Sequence, residues 1–416
     1  MKRITILAQG SHGDVQPFIA LAFHLHRAGY RVRMIANEDF APLIDSYGLD
    51  YVPLASNVQT MVNSPKGQAM IHMGNTLAAL RYFMTEVQHR IDDTQWAAWQ
   101  ACQESDALVY SGIAMSGASI AEKLGIPSMS VFMIPAYPTR DLPVPQGNLP
   151  DWPIFNAALY GIFIELSWLL FRNAINRFRR RLDLSTAPWG YKHLLNDPRT
   201  PILLAYSEHI LPRPSDWPSH IHICGYWFLP PPPNWTPPQE LLKFLEVGSP
   251  PIYIGFGSMA DRNAEAKTRA IIEAIVQTGQ RAILSKGWGG LNANELPKSI
   301  FMCDYVPHEW LFERVSMVIH HGGAGTTAAG LRAGISSLLV PHFGDQFFWG
   351  RRVRQLGAGP RPIPAKQMDA QHLVNTIQTC LHDTSMQERA AALGKQICAE
   401  DGLRNATTLM ERTFEL

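Results

Sequence analysis

The chain has 416 residues, 46% of them apolar and 17% charged, which supports a packed core and argues against disorder. At roughly 100–200 residues per domain the length points to two domains. Thirty-six Lys plus Arg against 35 Asp plus Glu give a formal net charge of +1, which lacks the basic field that broad nucleic-acid binding needs.

In chain order, Lys2 to Ala8 reads as a buried strand, and its apolar run from Ile4 is too short for the core of a signal peptide. The loop Gly10-Ser11-His12-Gly13-Asp14 follows. Pro17 suits the first turn of a helix that Gly29 ends, and Tyr30 to Ala36 is a second strand. This is the opening unit of a parallel, doubly wound sheet. Met61, Met70, Met73 and Met84, with Tyr82 and Phe83, suit an adaptable apolar pocket and equally suit core positions at helical spacing. Ala107 to Ser111, a Gly/Ser loop, a helix ending AEKLG and the strand of IPSMSVFMIP form another strand–loop–helix–strand unit, which Ser316 to Phe343 echoes. One such unit per half predicts an α/β protein of two Rossmann-like domains.

Trp152 to Phe171 approaches the length of a membrane span, but it contains Pro153, Asn156, Glu165 and Ser167. A buried helix or hairpin of the first domain is the favoured reading. A surface patch dipping into lipid, with Arg172, Arg177, Arg179, Arg180 and Arg181 near the headgroups, is the next. Prolines cluster from Leu211 to Pro251, four in a row at 230–233, and a new strand opens at Ile252. The expected organisation is a first domain over 1–212, a Pro-rich linker over 213–234, a second domain over 235–400 and a returning C-terminal helix over 401–416. Cys102, Cys224, Cys303, Cys380 and Cys398 have no CxxC spacing and read as reduced thiols of a cytosolic protein.

The strongest local signal is His320-His321-Gly322-Gly323-Ala324-Gly325-Thr326-Thr327, between a strand and a helix. Glycines allow close approach of backbone to an anion, and free N–H groups at the helix start point at it. Without a GKS/T ending it is no P-loop; a Gly-rich turn with capping threonines is the plain alternative. Gly255-Phe256-Gly257-Ser258 and Lys286-Gly287-Trp288-Gly289-Gly290 follow neighbouring strands and would face the same crevice. Tyr305 offers a stacking face, and Asp345-Gln346 suits sugar hydroxyls. In the first half His12 and Asp14 can each take a proton from a hydroxyl, although Asp14 also suits helix capping. No DxD run and no metal-spaced cluster occurs, so no metal is expected.

The strings GSHGDVQPFIAL, YIGFGSM, KGWGGL, YVPHEWLF and HHGGAGTTAAGLRAGISSLLVPHFGDQFFWGRRV resemble family 1 glycosyltransferases of the sterol and antibiotic glycosyltransferase branch, over nearly the whole chain. The resemblance implies the GT-B fold: two facing Rossmann-like domains, the acceptor in the first and the nucleotide sugar in the second, with the last helix crossing back. It implies inverting, metal-independent transfer from a UDP-sugar, or a dTDP-sugar, to a lipophilic hydroxyl. The sugar would be glucose and the acceptor a sterol, terpenoid or lipid-like alcohol, with a polyketide or rhamnolipid-type acceptor as alternative. The diphosphate histidine falls on His321, with Gly323, Gly325 and Thr326 as phosphate contacts. Ser258, Trp288, Tyr305, Val306, Asp345 and Gln346 complete the implied donor site, and Met73, Phe83 and Phe132 stand as acceptor-binding candidates.

Three departures stand out. The glutamate that plant members place on ribose falls on Ala329. The partner of their catalytic histidine falls near Ser111. Their base position, three before Pro17, is Asp14, and His12 stands where related members carry arginine. Position favours Asp14 as base and intrinsic basicity favours His12, so both are candidates. No cofactor beyond the sugar nucleotide, a co-substrate, is implied. A cytoplasmic protein with peripheral contact on the inner membrane face fits these readings. Two rivals remain: a GT-B-shaped epimerase, and a lipid-binding protein with a relic nucleotide site. A nicotinamide enzyme would need GxGxxG after the first strand, which GSHGDV does not supply.

Overall fold

A computed structural model of the chain describes residues 2–54, 88–147, 149, 151–187, 195, 197–257, 264–285 and 296–416. Of the candidates above, Met73, Phe83, Ser258 and Trp288 lie outside the described residues.

The described strands form two parallel sheets. The first holds β1 (Arg3–Leu7), β2 (Arg31–Asn37), β3 (Asp50–Leu54), β4 (Ala107–Ser111), β5 (Ser128–Phe132), β6 (Ile202–Leu204) and β7 (Ile221–Ile223), in the order β3-β2-β1-β4-β5-β6-β7. The second holds β8 (Ile252–Gly255), β9 (Ala282–Ser285), β10 (Ile300–Cys303), β11 (Met317–His320) and β12 (Ser337–Leu339), in the order β10-β9-β8-β11-β12. Counted within its own half, each sheet runs 3-2-1-4-5, the doubly wound order. Every residue of β1, β4, β8 and β11 is buried, as parallel strands covered on both faces require.

The helices, in chain order, are α1 (His12–Arg27), α2 (Ala41–Asp45), α3 (Gln88–Ala101), α4 (Ser116–Leu124), α5 (Pro153–Arg181), α6 (Gln239–Glu246), α7 (Ala264–Thr278), α8 (His308–Leu311), α9 (Ala324–Arg332), α10 (Gln346–Gln355), α11 (Ala370–His382), α12 (Thr384–Ala399) and α13 (Gly402–Phe414). Ile4, Phe18, Met34 and Val109 centre the first core, and Ile254, Ile275, Ile319 and Leu338 the second. A further cluster joins the halves, packing Tyr206, Leu211 and Trp217 with Leu331, Trp349 and Ile397. Helix α13 sets Ala406, Met410 and Phe414 into the first core, while Lys2 Nζ donates to the Phe414 carbonyl at 2.7 Å.

Three expectations need correction. The first sheet reaches Ile223, inside the stretch read as linker over 213–234, because a three-residue edge strand fits between Pro218 and Pro230. Helix α1 starts at His12, so Pro17 lies inside it rather than in its first turn; Ser11 and Asp14 cap the earlier start. Trp152 to Phe171 is no buried helix or hairpin. From Pro153 on it belongs to one 29-residue helix, α5, with one side packed and the other exposed.

Candidate active site

In an open parallel sheet the crevice forms where strand order reverses, at the carboxyl ends of the two strands that diverge there. The switch points lie between β1 and β4 in the first sheet, and between β8 and β11 in the second. The segments that follow β1 and β11 carry His12/Asp14, in the first turn of α1, and His321/Gly323, so the strand order itself places both motifs at crevice mouths. The two halves meet there. The His12 and Tyr305 rings are 5.5 Å apart, and Gln16 Nε2 donates to the Tyr305 hydroxyl at 3.5 Å.

On the first-domain side, Asp14 sits in the opening turn of α1 rather than in a loop. Its Oδ2 accepts from the Ser11 amide and the Ser11 hydroxyl, each at 2.8 Å. Gly10, at φ +122°, allows this packing, since a Cβ there would lie 2.6 Å from Asp14 Oδ2. Desolvation raises the Asp14 pKa, and the Ser11 hydrogen bonds oppose the rise. His12 reaches solvent in the cleft but has Phe40 and Tyr305 on either hand, and desolvation lowers its pKa. Ser111 Oγ accepts from the Gln9 amide at 3.2 Å, so the position of the plant partner carboxylate holds the β1 loop instead. Phe132 ends β5 with its ring against Gly112, and Ile113 beyond is 56% exposed. Phe132 and Ile113 thus form an apolar wall at the carboxyl ends of β5 and β4, in the sheet whose β1 leads to the two candidate bases.

On the second-domain side, α9 starts at Ala324 with Gly323 as cap and no side-chain capping bond. Its first amides, on Ala324, Gly325 and Thr326, therefore have no helical acceptor and carry the positive end of the helix dipole. Gly325 is exposed, and Thr327 turns its hydroxyl back to the Gly323 carbonyl at 2.9 Å, which leaves Thr326 as the outward hydroxyl. The His321 ring lies on Gly323, where a Cβ would meet Nε2 at 2.6 Å, and 3.7 Å from such a Cβ on Gly257. Its Nδ1 is buried with no hydrogen-bond partner among the described residues. Burial, then the neighbouring His342, pushes its pKa down to about 4, so the imidazole is neutral at pH 7 and can donate one N–H. A cradle of glycines, free amides and one orphaned ring nitrogen suits an anion.

Asp345 and Gln346 begin α10 and differ in what they offer. Trp349 Nε1 donates to Asp345 Oδ2 at 3.0 Å. Desolvation, with Asp14 across the cleft adding repulsion, pushes the Asp345 pKa up to about 6. Gln346 is buried, and its Oε1 accepts from the amides of His342 (2.7 Å) and Phe343 (3.3 Å), so its carbonyl shapes the loop. Tyr305 is 52% exposed and keeps a ring face open, while Val306 is buried in the core beneath it. Four supporting residues were not singled out from the sequence: Ser11, Gln16, Trp349 and Glu309. The Ser11-x-x-Asp14 spacing and the four-residue step from Asp345 to Trp349 were the available signals. Glu309 gives none; burial raises its pKa, and its Oε2 has no partner among the described residues. Those residues hold no group of three or more His, Cys, Asp or Glu placed to bind a metal.

Comparison with known proteins identifies the family. Residues 4–143 match the glycosyltransferase family 28 N-terminal domain, and residues 270–405 match the erythromycin biosynthesis protein CIII-like C-terminal domain. The chain is 34% identical over 428 residues to the sterol 3-beta-glucosyltransferase UGT80B1 of Arabidopsis thaliana, covering 99% of this chain and 68% of the relative. A sterol 3-beta-glucosyltransferase of Emericella nidulans is also 34% identical, but this chain spans 30% of its length. The calicheamicin glycosyltransferase CalG4 superposes with a TM-score of 0.75 at 17% identity, over 100% of this chain and 98% of that one. A Streptomyces glycosyltransferase, SsfS6, solved with thymidine diphosphate, gives 0.65 at 16% identity over 99% and 100%. With two doubly wound domains of the GT-B fold facing one cleft, and that plant relative matched over two thirds of its length, the chain belongs to the glycosyltransferase family of the sterol 3-beta-glucosyltransferases.

Proposed function

We propose that this chain transfers a sugar, glucose first, from a UDP-sugar to the hydroxyl of a lipophilic acceptor, a sterol first, with inversion and without a metal ion. One observation carries the reading: Asp14, hydrogen-bonded to Ser11, and His12 on one switch point face an anion cradle on the other. The names of the relatives support a sterol acceptor, and the exposed apolar wall of Ile113 beside Phe132 is consistent with it.

In this mechanism the acceptor O–H gives its proton to Asp14 as its oxygen attacks C1 of the sugar, while His12 orients the hydroxyl. The C1–oxygen bond to the diphosphate breaks, and its electron pair leaves with the diphosphate. The amides of Ala324, Gly325 and Thr326, the Thr326 hydroxyl and the His321 N–H meet that charge where it develops. Asp345 accepts from sugar hydroxyls, and Tyr305 stacks on the base. A domain-spanning site of this kind aligns two bound reactants in line, which is where much of the rate gain arises. Incubation with UDP-glucose and a panel of sterols, terpenoid alcohols and polyketides tests the reading, with UDP release and product mass as readouts. A hexose added to a sterol supports it. UDP-glucose left intact with every lipophilic alcohol, or transfer to polyketides alone, overturns it.

A further inference from the structure

Helix α5 buries Tyr160, Ile164, Trp168, Ile175 and Phe178 along one side. Those contacts fix it lengthwise to the first domain. The Tyr160 hydroxyl donates to the carbonyls of Pro135 and Pro143, each at 3.2 Å, and Arg179, near the other end, pairs with Glu122. The opposite side carries Ile154, Phe155, Ile162, Phe163, Leu166 and Leu169, from 41% to 87% exposed. With exposed Ala158 between Phe155 and Ile162, they recur at three- and four-residue steps and form a stripe about 22 Å long at 1.5 Å per residue. Single exposed apolar residues are ordinary, but a continuous stripe of this size marks an interaction surface.

We propose that this stripe seats the protein on the surface of an anionic lipid bilayer, with α5 lying in the interface. Charge favours lipid over a protein partner. Helix α5 holds five arginines and one glutamate. Arg180 and Arg181, exposed at its C-terminal end, bond a backbone carbonyl and the Trp96 face and pair with no carboxylate among the described residues. A cationic flank beside an apolar face matches a headgroup region over acyl chains. Trp152, 56% exposed at the other end, is an amphipathic ring of the kind that settles at that boundary. The packed side ties the helix to the first domain, although its length and composition alone would pass for a membrane span. Position adds a reason. Asn156 Nδ2 donates to the Arg140 carbonyl at 3.1 Å, on the segment that leaves β5 after Phe132. Helix α5 is thus tied to the chain that follows Phe132 in the first domain, so seating it would bring that domain to an acceptor dissolved in the bilayer. This meaning rests on the lipophilic-acceptor reading, but its test does not.

The test is flotation of the full chain with vesicles of phosphatidylcholine alone and with one third phosphatidylglycerol. Wild type binds the mixed vesicles. The pair Ile162→Glu and Leu166→Glu, both at exposed sites and checked by thermal melt, lowers binding at least about tenfold on both compositions. Arg180→Ala with Arg181→Ala lowers it by about tenfold on the anionic vesicles and little on the neutral ones. Wild type that stays unbound overturns the proposal, as does a glutamate pair that binds like wild type. So does a wild-type dimer that the glutamate pair dissociates while vesicles recover neither protein; the stripe would then serve a second copy. Sugar transfer to an acceptor delivered in cyclodextrin is unchanged in the glutamate pair. If no protein transfers sugar but vesicle binding follows the stripe, the membrane surface stands and the acceptor reading falls.

Discussion

At the scale of single residues, the candidate site contrasts two ionisable groups on the first domain, Asp14 and His12, with two on the second, His321 and Asp345. Asp14 is desolvated but held by Ser11, and desolvation lowers the His12 pKa. A positioned general base contributes about 10²–10⁴-fold. Asp14→Asn should lower kcat by about that factor with UDP affinity retained, and His12→Gln should lower it less; titration calorimetry and initial rates on the same preparations check both. A His12 variant that loses far more rate than the Asp14 variant reverses the roles. His321→Ala removes one hydrogen bond to a diphosphate, about 1.5–3 kcal/mol, so UDP should bind roughly 10–150-fold more weakly. Unchanged affinity in the folded variant takes His321 out of the site. For Asp345, a folded-state pKa of about 6 means the folded protein binds the proton more readily than the unfolded chain. Stability from this group therefore falls as pH rises from about 4 to about 6 and stays lower above. Asp345→Asn, which can still accept from Trp349, should be more stable than wild type at pH 8, by at most about 3 kcal/mol, with the gap closing by pH 4. Thermal melts across that range decide it; a gap that widens toward low pH contradicts the assigned shift.

At the scale of elements, the site is built from helix starts. Helices α1, α9 and α10 all begin at the cleft, directly after their strands or a short loop, and this puts polar backbone and capping side chains where substrates meet. Most of this was legible. Strands β1, β4, β8 and β11 are short apolar runs ending in Gly/Ser loops, which is what a parallel sheet with crossover helices demands. The start of α1 was not, because Pro17 is a strong N-terminal signal and the weaker Ser11-x-x-Asp14 spacing outcompetes it only in the folded loop. Helix α5 was misread for a different reason. Hydropathy reports how apolar a segment is, not which side of it meets protein. At the far end of the chain, Met410 on α13 is fully buried in the first core. Met410→Ala should cost about 2–4 kcal/mol in denaturant unfolding, and a change below about 0.5 kcal/mol would mean that α13 docks without stabilising the domain.

Across the whole molecule, the proposed function needs two half-sites that no local pattern joins. The contact of Tyr305 with His12 and Gln16 links residues nearly 300 positions apart, and only the facing of two doubly wound sheets brings it about. The sequence could place each motif at a strand end, and the repeated unit could suggest two domains. The repulsion between Asp14 and Asp345 across the cleft becomes visible only once both halves stand together, and the orphaned His321 nitrogen and unfilled α9 amides only once the second domain is folded. The central claim is a single in-line displacement across that cleft, with the protein's own helix start and His321 receiving the leaving group. The most direct measurement is the anomeric configuration of the product, read by proton NMR, after reaction of UDP-α-glucose with a sterol in buffer containing EDTA. A β-glucoside formed at an undiminished rate is the predicted result; an α-glucoside, or a reaction that stops in EDTA and resumes with magnesium or manganese, would contradict it.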